Sequence, residues 1–379
     1  MSSGCTPEGL LAMPERVALL FATSGHSGVD RVIHNLLPEF AHSGAAFDLL
    51  VIGGHGPSIP EALPCSIRIV RLPVRTKKLV FPALIPYLLR HRPTALLTAN
   101  HQLNRAALLA RRLTGIPARV AIRMGMSLTA MGAEMRPAQR ERLFRSMRHW
   151  YPTADAVIAP SQGVGEDLVQ IATVRRERLH VIRNPLVNAQ LHRMAADTPD
   201  HPWFAAGQPP IILGAGSLEP RKDFATLIRA FACVREEIDC KLVILGEGGE
   251  RGRLSSLAVE LGVADALDMP GFAANPYQYM RRAAVFALSS RREGASAVIV
   301  EALACGTPVV STDCPSGPAE VLQPMGARAL AAVGDHEALA RQLLNMLKDP
   351  LSPQTLSGLI TEHEASASAR AYLNAIIGP

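Results

Sequence analysis

Residues 289–308 read Ser-Ser-Arg-Arg-Glu-Gly-Ala-Ser-Ala-Val-Ile-Val-Glu-Ala-Leu-Ala-Cys-Gly-Thr-Pro, and they contain two glutamates, Glu293 and Glu301, with seven residues between them. An apolar strand pattern precedes this stretch and an apolar helix pattern fills its second half, as is typical of parallel-sheet α/β domains. Carboxylates placed in this way can accept hydrogen bonds from the hydroxyl groups of a sugar and a ribose. Glutamates at this spacing also occur by chance in solvated helices, so the surrounding elements must decide.

The same alternation of β-branched apolar runs and helical patterns continues through both halves of the chain. It predicts strands at 16–23, 47–52, 67–72, 95–98, 119–123, 156–160 and 180–183, and again at 210–214, 241–245, 267–269, 285–289 and 308–312. The fold class is therefore α/β, with two Rossmann-like doubly wound domains that face each other across a cleft. Ligands of open parallel sheets bind at the carboxyl ends of the strands, so the loops that follow strands are of most interest.

The length of 379 residues also favours two domains, because a single compact core rarely grows that large. An aperiodic segment rich in Pro, Asp and Gly at 195–210 sets the boundary near Asn184-Pro185. We expect domains at 1–185 and 186–358, followed by a helix within 359–379 that crosses back to the first domain.

Composition excludes several classes of protein. The six cysteines form no C-x-x-C, which argues against a zinc site or a disulfide framework. The chain starts without the basic and apolar regions of a signal peptide, and its longest apolar run, at 79–89, is too short to span a bilayer and contains Pro82 and Pro86. A cytoplasmic location follows as an expectation.

Positive charge is concentrated in the first half, where residues 1–185 hold 23 Lys and Arg against 12 Asp and Glu; residues 186–379 hold 16 against 21. Basic residues flank the apolar run at 79–89, and five arginines between 136 and 148 precede Trp150-Tyr151. This pattern suits a protein held peripherally on an anionic membrane, and it suits a solvated helix face equally well. Nucleic acid is not an expected partner, since aromatic residues make up only 4% of the chain.

Several loops after strands carry residues suited to a phosphate-containing ligand. Ser296 stands where its hydroxyl would cap the helix that holds Glu301, and the free N–H groups of such a helix start attract phosphate. The loop 214–223 supplies Lys222 and Arg221; a fixed cation there would stabilise a leaving diphosphate more in the transition state than in the ground state. Either cation is also ordinary at a helix start.

Two glycine-containing loops resemble nucleotide-binding motifs only in part. Gly28, in the loop after the first strand, would let the backbone approach a ligand closely. The sequence Gly246-Glu-Gly-Gly-Glu-Arg-Gly252 places its third glycine one position too late for a dinucleotide fingerprint, which argues against a nicotinamide enzyme. No D-x-D occurs in the chain, so the aspartate pair that usually holds a metal on a nucleotide sugar is missing.

Together these loops resemble the retaining, nucleotide-sugar-dependent glycosyltransferases of family 4, also called glycosyl transferases group 1, which have the two-domain GT-B fold. The resemblance is carried by five segments in the family order: Gly-Ser-Leu-Glu-Pro-Arg-Lys-Asp at 216–223, Leu-Gly-Glu-Gly at 245–248, Pro-Gly-Phe at 270–272, Glu-Gly at 293–294 and Val-Glu-Ala-Leu-Ala-Cys-Gly-Thr-Pro-Val-Val at 300–310. Ser-Gly-Val-Asp-Arg-Val at 27–32 matches the family pattern more loosely.

The resemblance implies a role for each matching residue. Catalytic roles fall to Lys222, which would contact the diphosphate, and to Glu293, which would contact the donor sugar. The donor-binding residues it implies are Gly28, Ser217, Arg221, Lys222, Gly271, Phe272, Glu293, Gly294, Ala297, Val298 and Glu301, the last of which would bind ribose. The resemblance implies retention of configuration by front-side attack, with no metal and no cofactor besides the nucleoside-diphosphate sugar that serves as donor.

The implied reaction moves a hexose or N-acetylhexosamine from that donor to a saccharide or lipid-linked acceptor, in bacterial polysaccharide, lipopolysaccharide or glycolipid assembly. Two departures bear on it: the family usually has Arg at Ser217, and it has Phe-Gly-Asn where this chain has Ala295-Ser-Ala297. These changes leave open a catalytically impaired GT-B protein that binds another enzyme. An epimerase or hydrolase that acts on the nucleotide sugar is a third interpretation. We expect Arg221 to replace part of the missing arginine.

Overall fold

Two parallel β-sheets form the framework of the chain in the computed structural model, which describes residues 16–21, 28–53, 63–133, 135–293, 296–315 and 317–378. The first sheet contains β1 (Arg16–Phe21), β2 (Ala46–Ile52), β3 (Ile67–Leu72), β4 (Ala95–Ala99), β5 (Arg119–Arg123), β6 (Ala156–Ala159) and β7 (Leu179–Val181). The second contains β8 (Ile211–Ala215), β9 (Lys241–Leu245), β10 (Leu267–Gly271), β11 (Val285–Leu288), β12 (Val309–Thr312) and β13 (Leu330–Ala331).

Both sheets are doubly wound. Their strand orders are β3-β2-β1-β4-β5-β6-β7 and β10-β9-β8-β11-β12-β13. The first strand of each sheet therefore lies inside the sheet, and the direction in which successive strands are added reverses beside it. Such a reversal is the usual ligand position in open α/β sheets. The predicted fold class of two Rossmann-like sheets is confirmed.

Helices follow most of the strands. They are α1 (Gly28–Ala41), α2 (Val80–His91), α3 (His101–Thr114), α4 (Leu128–Ala133), α5 (Pro137–Trp150), α6 (Gln162–Ala172), α7 (Ala189–Ala196), α8 (Phe224–Arg235), α9 (Arg251–Glu260), α10 (Tyr277–Arg282), α11 (Ala297–Ala304), α12 (Pro318–Leu322), α13 (His336–Lys348), α14 (Pro353–Gly358) and α15 (Ala365–Ile377). Within the described residues, none of them combines the length and the apolar composition needed to cross a bilayer.

All twelve predicted strand positions contain a strand. The elements that were not predicted include the strand β13 and the helices α2, α4, α7, α12 and α14. The helix α2 was not predicted because Pro82 and Pro86 interrupt its pattern; Pro82 lies in the first turn, where a missing N–H costs nothing. The strand β13 has only two residues, too few for any periodicity.

The second sheet is covered on both faces, which explains its continuous apolar strands. Alternate residues of β8 point to opposite sides: Ile212 joins one cluster, with α8 and α13, while Ile211 and Leu213 join another, with α10 and α11. Burying a side chain of this size contributes about 1.5–3 kcal/mol. The two faces together hold the strand ends, and hence the loops after them, in fixed positions.

Contacts divide the chain into two compact units: Met1–Arg123 with Thr153–Ala156 and Leu373–Pro379, and Met124–Pro152 with Val157–Tyr372. Within the first unit, the Arg119 side chain donates to the Ile376 carbonyl near the end of α15. Within the second, the Ser368 hydroxyl near its start donates to the Arg183 carbonyl. The boundaries at 185 and 358 stay predictions.

Candidate active site

The site is built by the loops that follow β8 and β11, all within the second unit. These two strands are direct neighbours in the sheet, so their carboxyl ends, and the loop residues 216–223 and 289–293, lie side by side. Besides the ion pair at their centre, three contacts among the described residues join the loops. The Ser289 hydroxyl donates to the Lys222 carbonyl at 3.0 Å, the Arg291 N–H donates to the Arg221 carbonyl at 2.8 Å, and the Arg291 guanidinium pairs with Asp223 at 2.9 Å.

An ion pair between Lys222 and Glu293 lies at the centre of this arrangement. The Lys222 Nζ is 2.6 Å from the Glu293 Oε1, and the Ser290 hydroxyl donates to the same oxygen at 2.6 Å. Both charged side chains are only 10% exposed. Charges removed from water to this degree persist only when they are paired, so the two residues hold each other in place.

Gly216 makes room for the lysine. A Cβ at this position would lie 3.1 Å from the Lys222 Cε, and the Gly216 φ of 155° belongs to a region that other residues rarely adopt. Gly246, in the neighbouring loop after β9, is required more strictly, because its Cβ would meet the Gly216 carbonyl oxygen at 1.9 Å. Gly248 is similar, since its Cβ would lie 2.3 Å from the Leu218 carbonyl oxygen, whereas a Cβ on Gly252 would meet no atom within 4 Å. Two of the three glycines that mimic a dinucleotide motif therefore serve close packing between loops.

Arg221 lies beside Ser217, the position at which the family usually has an arginine. Its Nη2 donates to the Ser217 hydroxyl at 3.2 Å, and its Nε donates to the Glu219 carboxylate at 2.9 Å. The Arg221 side chain is 45% exposed, so solvent or a ligand can reach it.

The second glutamate, Glu301, lies inside α11 and is buried. The Tyr277 hydroxyl on α10 is 3.5 Å from its Oε1. Ala297 and Val298 form the first turn of the same helix and are half-buried, which places their backbone at the helix start.

The expectation that the Ser296 hydroxyl caps α11 is wrong. Ser296 stands at the N-cap position, but its φ of 43° and ψ of 42° are left-handed, and the side chain makes no capping hydrogen bond. Its buried Oγ finds no partner among the described atoms and lies 2.5 Å from the point that a Cβ on Gly317 would occupy. The left-handed backbone turns the hydroxyl away from the N–H groups of the first turn. The Ile299 N–H donates to the Ser296 carbonyl at 3.0 Å, and the N–H groups of Ala297 and Val298 have no acceptor among the described residues.

Three further predicted residues lie on other elements. Gly271 ends β10 with a φ of 97°, and its carbonyl accepts from the Gly246 N–H at 2.8 Å. Phe272, directly after it, is 82% exposed. Gly28 begins α1, and Gly294 lies outside the described residues.

A cavity of about 370 Å³ opens next to Glu293. Its wall includes Ser127 and Thr129 at the start of α4 and Asp167 on α6. The Asp167 carboxylate accepts from the Ser127 hydroxyl at 2.6 Å, from the Thr129 N–H at 2.9 Å and from the Thr129 hydroxyl at 2.6 Å. Asp167 thus caps α4 from outside and fixes the wall of the cavity that faces Glu293.

Cys314 is the thiol near this glutamate. Burial raises its pKa to about 12, and the negative charge of Glu293 adds to the effect. The thiol is therefore protonated at neutral pH and is not a nucleophile.

Sequence reasoning missed three residues of the site: Ser290, Tyr277 and Asp167. Ser290 had a signal, because it lies two residues after the end of the buried strand β11 and three residues before Glu293. The other two come from helices whose sequences contain no motif, and only the packing of α6 and α10 brings them to the site.

Comparisons with known proteins agree with this geometry. The description "Glycosyl transferases group 1" belongs to a family model that matches residues 200–363, and a "Glycosyl transferase 4-like domain" matches residues 27–185. A relative from Campylobacter jejuni, described as N-acetylgalactosamine-N,N'-diacetylbacillosaminyl-diphospho-undecaprenol 4-alpha-N-acetylgalactosaminyltransferase, is 35% identical over 199 residues, which are 52% of either chain. The chain spans about half the length of the curated relatives it matches.

Two solved structures share the fold over nearly the whole chain. The apo lipopolysaccharide outer core galactosyltransferase WaaB has a TM-score of 0.70 at 19% identity, covering 95% of this chain and 98% of its own. Anabaena Alr3699/HepE in complex with UDP has a TM-score of 0.64 at 17% identity, covering 93% and 94%.

Proposed function

This chain belongs to the glycosyl transferases group 1 family and has the GT-B fold, and on that premise we propose that it is a retaining glycosyltransferase. It transfers a hexose or N-acetylhexosamine from a nucleoside-diphosphate sugar to a saccharide or lipid-linked acceptor. The observation that carries the proposal is the buried Lys222–Glu293 pair beside an open cavity, since it supplies a cation and a carboxylate at one point.

Each partner of the pair has a separate task. The Lys222 ammonium has three N–H donors, so it can keep Glu293 and still bind an oxygen of the leaving diphosphate. As the bond between the anomeric carbon and the phosphate oxygen breaks, charge accumulates on that oxygen and the ammonium stabilises it. Glu293, held by Lys222 and Ser290, accepts hydrogen bonds from hydroxyl groups of the donor sugar.

The acceptor hydroxyl attacks the anomeric carbon from the side on which the diphosphate leaves. A bond forms between the acceptor oxygen and that carbon, the carbon–phosphate oxygen bond breaks, and the acceptor proton passes to the leaving phosphate oxygen. The donor's own phosphate serves as the base, so no separate catalytic base on the protein is needed. Retention follows because attack and departure share one face.

The donor-binding residues keep the roles that the family resemblance implies. Glu301 binds the ribose, the free N–H groups at Ala297 and Val298 face the diphosphate, and Gly271 with the exposed Phe272 meets the base. UDP is the nucleotide we favour, because the HepE structure of the same fold holds it. Arg221 contributes a second cation.

The cavity beside Glu293 is the proposed acceptor pocket. Its volume of about 370 Å³ is large enough for a sugar unit. In its wall, Thr129 and Asp167 are hydrogen-bonding groups, and Ala130 and Ala133 provide apolar contacts. A lipid-linked acceptor is the favoured class, since the name of the Campylobacter jejuni relative contains a diphospho-undecaprenol saccharide. This acceptor class implies a peripheral position on the inner face of the cytoplasmic membrane.

The test measures release of nucleoside diphosphate from a panel of nucleotide sugars with a lipid-linked saccharide present. Lys222→Met should lower turnover by about 100-fold or more, as expected for loss of a group that binds developing charge. Lys241→Met is the matched control, because Lys241 lies over the Trp203 ring outside the site. A wild-type protein that binds nucleotide sugar but releases no diphosphate with any acceptor would instead be the catalytically impaired binding protein.

A further inference from the structure

A long segment of the chain contains no acidic residue. Between Glu61 and Glu134 there is no Asp or Glu, whereas the whole chain has 33 of them. The same segment holds Arg68, Arg71, Arg75, Lys77, Lys78, Arg90, Arg92, Arg105, Arg111, Arg112, Arg119 and Arg123. Arg68 pairs with Asp48, Arg111 pairs with Asp155 and Arg123 is buried, so these three add little to the surface charge. The remaining cations give an excess of positive charge, which attracts an anionic surface.

The helix α2 in this segment exposes an apolar stripe. Its inner side buries Val80, Ala83, Leu84, Tyr87 and Leu88. Leu79, Pro82, Pro86 and Leu89 are exposed, and their spacing of three, four and three residues places them on one side of the helix. Leu79 is 53% exposed and Leu89 is 49% exposed. We call these four residues the α2 outer face.

Cations lie at both ends of this face. Lys78 directly precedes Leu79, Arg90 directly follows Leu89, and Arg75 and Arg92 lie slightly further out; all four are exposed. In the part of the chain that the structure describes, no carboxylate forms an ion pair with any of them. An apolar stripe with free cations at each end has the composition of a helix that lies at a membrane surface.

The second basic segment, α5, lacks these properties. Glu141 pairs with Arg145 and with Arg148, and this reduces the charge that α5 presents. Tyr151, one of the two aromatic residues expected to face a membrane, is completely buried. Of the two segments that the sequence brought forward, the observations therefore favour α2.

We propose that the α2 outer face docks on an anionic lipid bilayer, with Leu79 and Leu89 entering the headgroup region and Lys78 and Arg90 contacting lipid phosphates. The choice of partner rests on the proposed function, because a lipid-linked acceptor is itself held in a bilayer. Nucleic acid fits less well, since the exposed stripe consists of leucine and proline and offers no aromatic ring on which a base can stack.

The test is co-sedimentation of the purified protein with vesicles of phosphatidylglycerol mixed with phosphatidylcholine, and with vesicles of phosphatidylcholine alone. The wild type should bind only the anionic vesicles, and salt should weaken the binding. Lys78→Ala with Arg90→Ala should lower the partition coefficient by about 25-fold, because each cation near such a surface contributes about fivefold. Leu79→Gln with Leu89→Gln should lower it by about tenfold or more.

The controls change similar residues elsewhere. Arg142→Ala with Arg145→Ala removes two cations from α5, and Val259→Gln removes a side chain that is 69% exposed on α9. Both should leave the partition coefficient within about threefold of wild type. Equal loss in these controls, equal binding to neutral vesicles, or a dimer in solution that dissociates when Leu79 and Leu89 are replaced would each overturn the proposal.

The two proposals fail separately. Vesicle binding is measured without donor or acceptor, so an inactive protein can still confirm the α2 outer face. With an acceptor sugar on a short, water-soluble aglycone, the Leu79→Gln with Leu89→Gln variant should retain wild-type turnover. Loss of turnover on that acceptor would show that α2 acts on the reaction itself, and would count against a docking role.

Discussion

At the scale of single residues, the site depends on one buried pair of opposite charges. Lys222 and Glu293 lie 71 residues apart in the chain and 2.6 Å apart in space. Both were identified from the sequence, but their mutual contact was not, because only the adjacency of β8 and β11 brings the two loops together. The pair keeps the ammonium in place before any donor arrives, so the positioning cost is met during folding.

Arg221 provides the first prediction. Arg221→Ala should raise the donor KM by about tenfold or more, since a hydrogen bond to a charged group contributes about 1.5–3 kcal/mol. Adding Ser217→Arg to that variant should restore most of the affinity, because the two side chains are 3.2 Å apart and an arginine at 217 reaches the same space. Steady-state kinetics with varied donor measure both.

Arg328→Ala is the control for this series, because the Arg328 side chain is 41% exposed and pairs with Asp349, and Arg328 precedes β13, at the amino end of that strand. It should leave the donor KM unchanged. If Arg221→Ala matched the wild type in turnover and affinity while Lys222→Ala was inactive, Arg221 would have no part in donor binding.

Gly216 provides the second prediction. Gly216→Ala should displace the Lys222 side chain and impose a backbone conformation that costs about 1–3 kcal/mol, so both turnover and stability should fall. Gly249→Ala is the matched control, since a Cβ there meets no atom within 4 Å. Urea unfolding and donor turnover are measured on both variants. Equal unfolding free energies and equal turnover in Gly216→Ala and Gly249→Ala would contradict the role assigned to Gly216.

At the scale of elements, strands were predicted far better than local caps. Most of the twelve predicted strands are buried apolar runs, and a run of this kind has few alternatives; β3, β7 and β10 are more exposed. The cap at Ser296 was wrong because its hydroxyl direction depends on a left-handed backbone, which the sequence pattern does not reveal. The start of α4 has a local cap, because the Ser127 hydroxyl accepts from the Ala130 N–H at 3.1 Å. It is also capped by Asp167 from another helix, and no local pattern can contain a partner that is 38 residues away.

The turn before α15 provides a prediction about pH. The His363 carbonyl accepts from the N–H groups of Leu186 and Val187, and its Nδ1 contacts the Asn184 carbonyl at 3.2 Å. Burial lowers the His363 pKa to about 4. The unfolded chain then binds the extra proton first, so this contribution to stability is complete above about pH 6.5 and is lost as the pH falls towards 4.

His363→Gln should therefore reduce the acid-induced loss of unfolding free energy between those pH values by about 3 kcal/mol at most. His149→Gln, at an exposed position on α5, should not change it. Urea titrations at several pH values measure the difference. Parallel pH profiles for wild type and His363→Gln would contradict this assignment.

At the scale of the whole molecule, the two sheets share the same doubly wound topology, whereas the cavity beside Glu293 does not follow from that topology. The alternation of strands and helices was enough to predict both sheets. The cavity proposed for the acceptor was not predictable, because its walls come from α4, α6 and the loops after β11 and β12, whose sequences are far apart.

Donor choice is a property of the folded molecule, and ligand-induced stabilisation measures it. A nucleotide sugar at 100 times its dissociation constant adds about 2.7 kcal/mol, which corresponds to a Tm increase of about 5–10 °C for a unit of this size. We expect UDP-sugars to give the largest increase and Glu301→Ala to abolish it, because that carboxylate is assigned to the ribose. A larger increase with GDP- or ADP-sugars would revise the nucleotide, and an unchanged response of Glu301→Ala would remove that assignment.

The contacts that join the loops after β8 and β11 also limit how this protein can be recombined with its relatives. A chimera that takes residues 216–223 from one homologue and 289–296 from another would combine a lysine and a glutamate whose loops are not matched in position, so the ion pair between them would not form with the same geometry. Exchanging the two loops together, along with the glycines after β9 that pack against them, keeps the pair intact. Libraries built to change donor choice should therefore treat these three separate segments as one cassette.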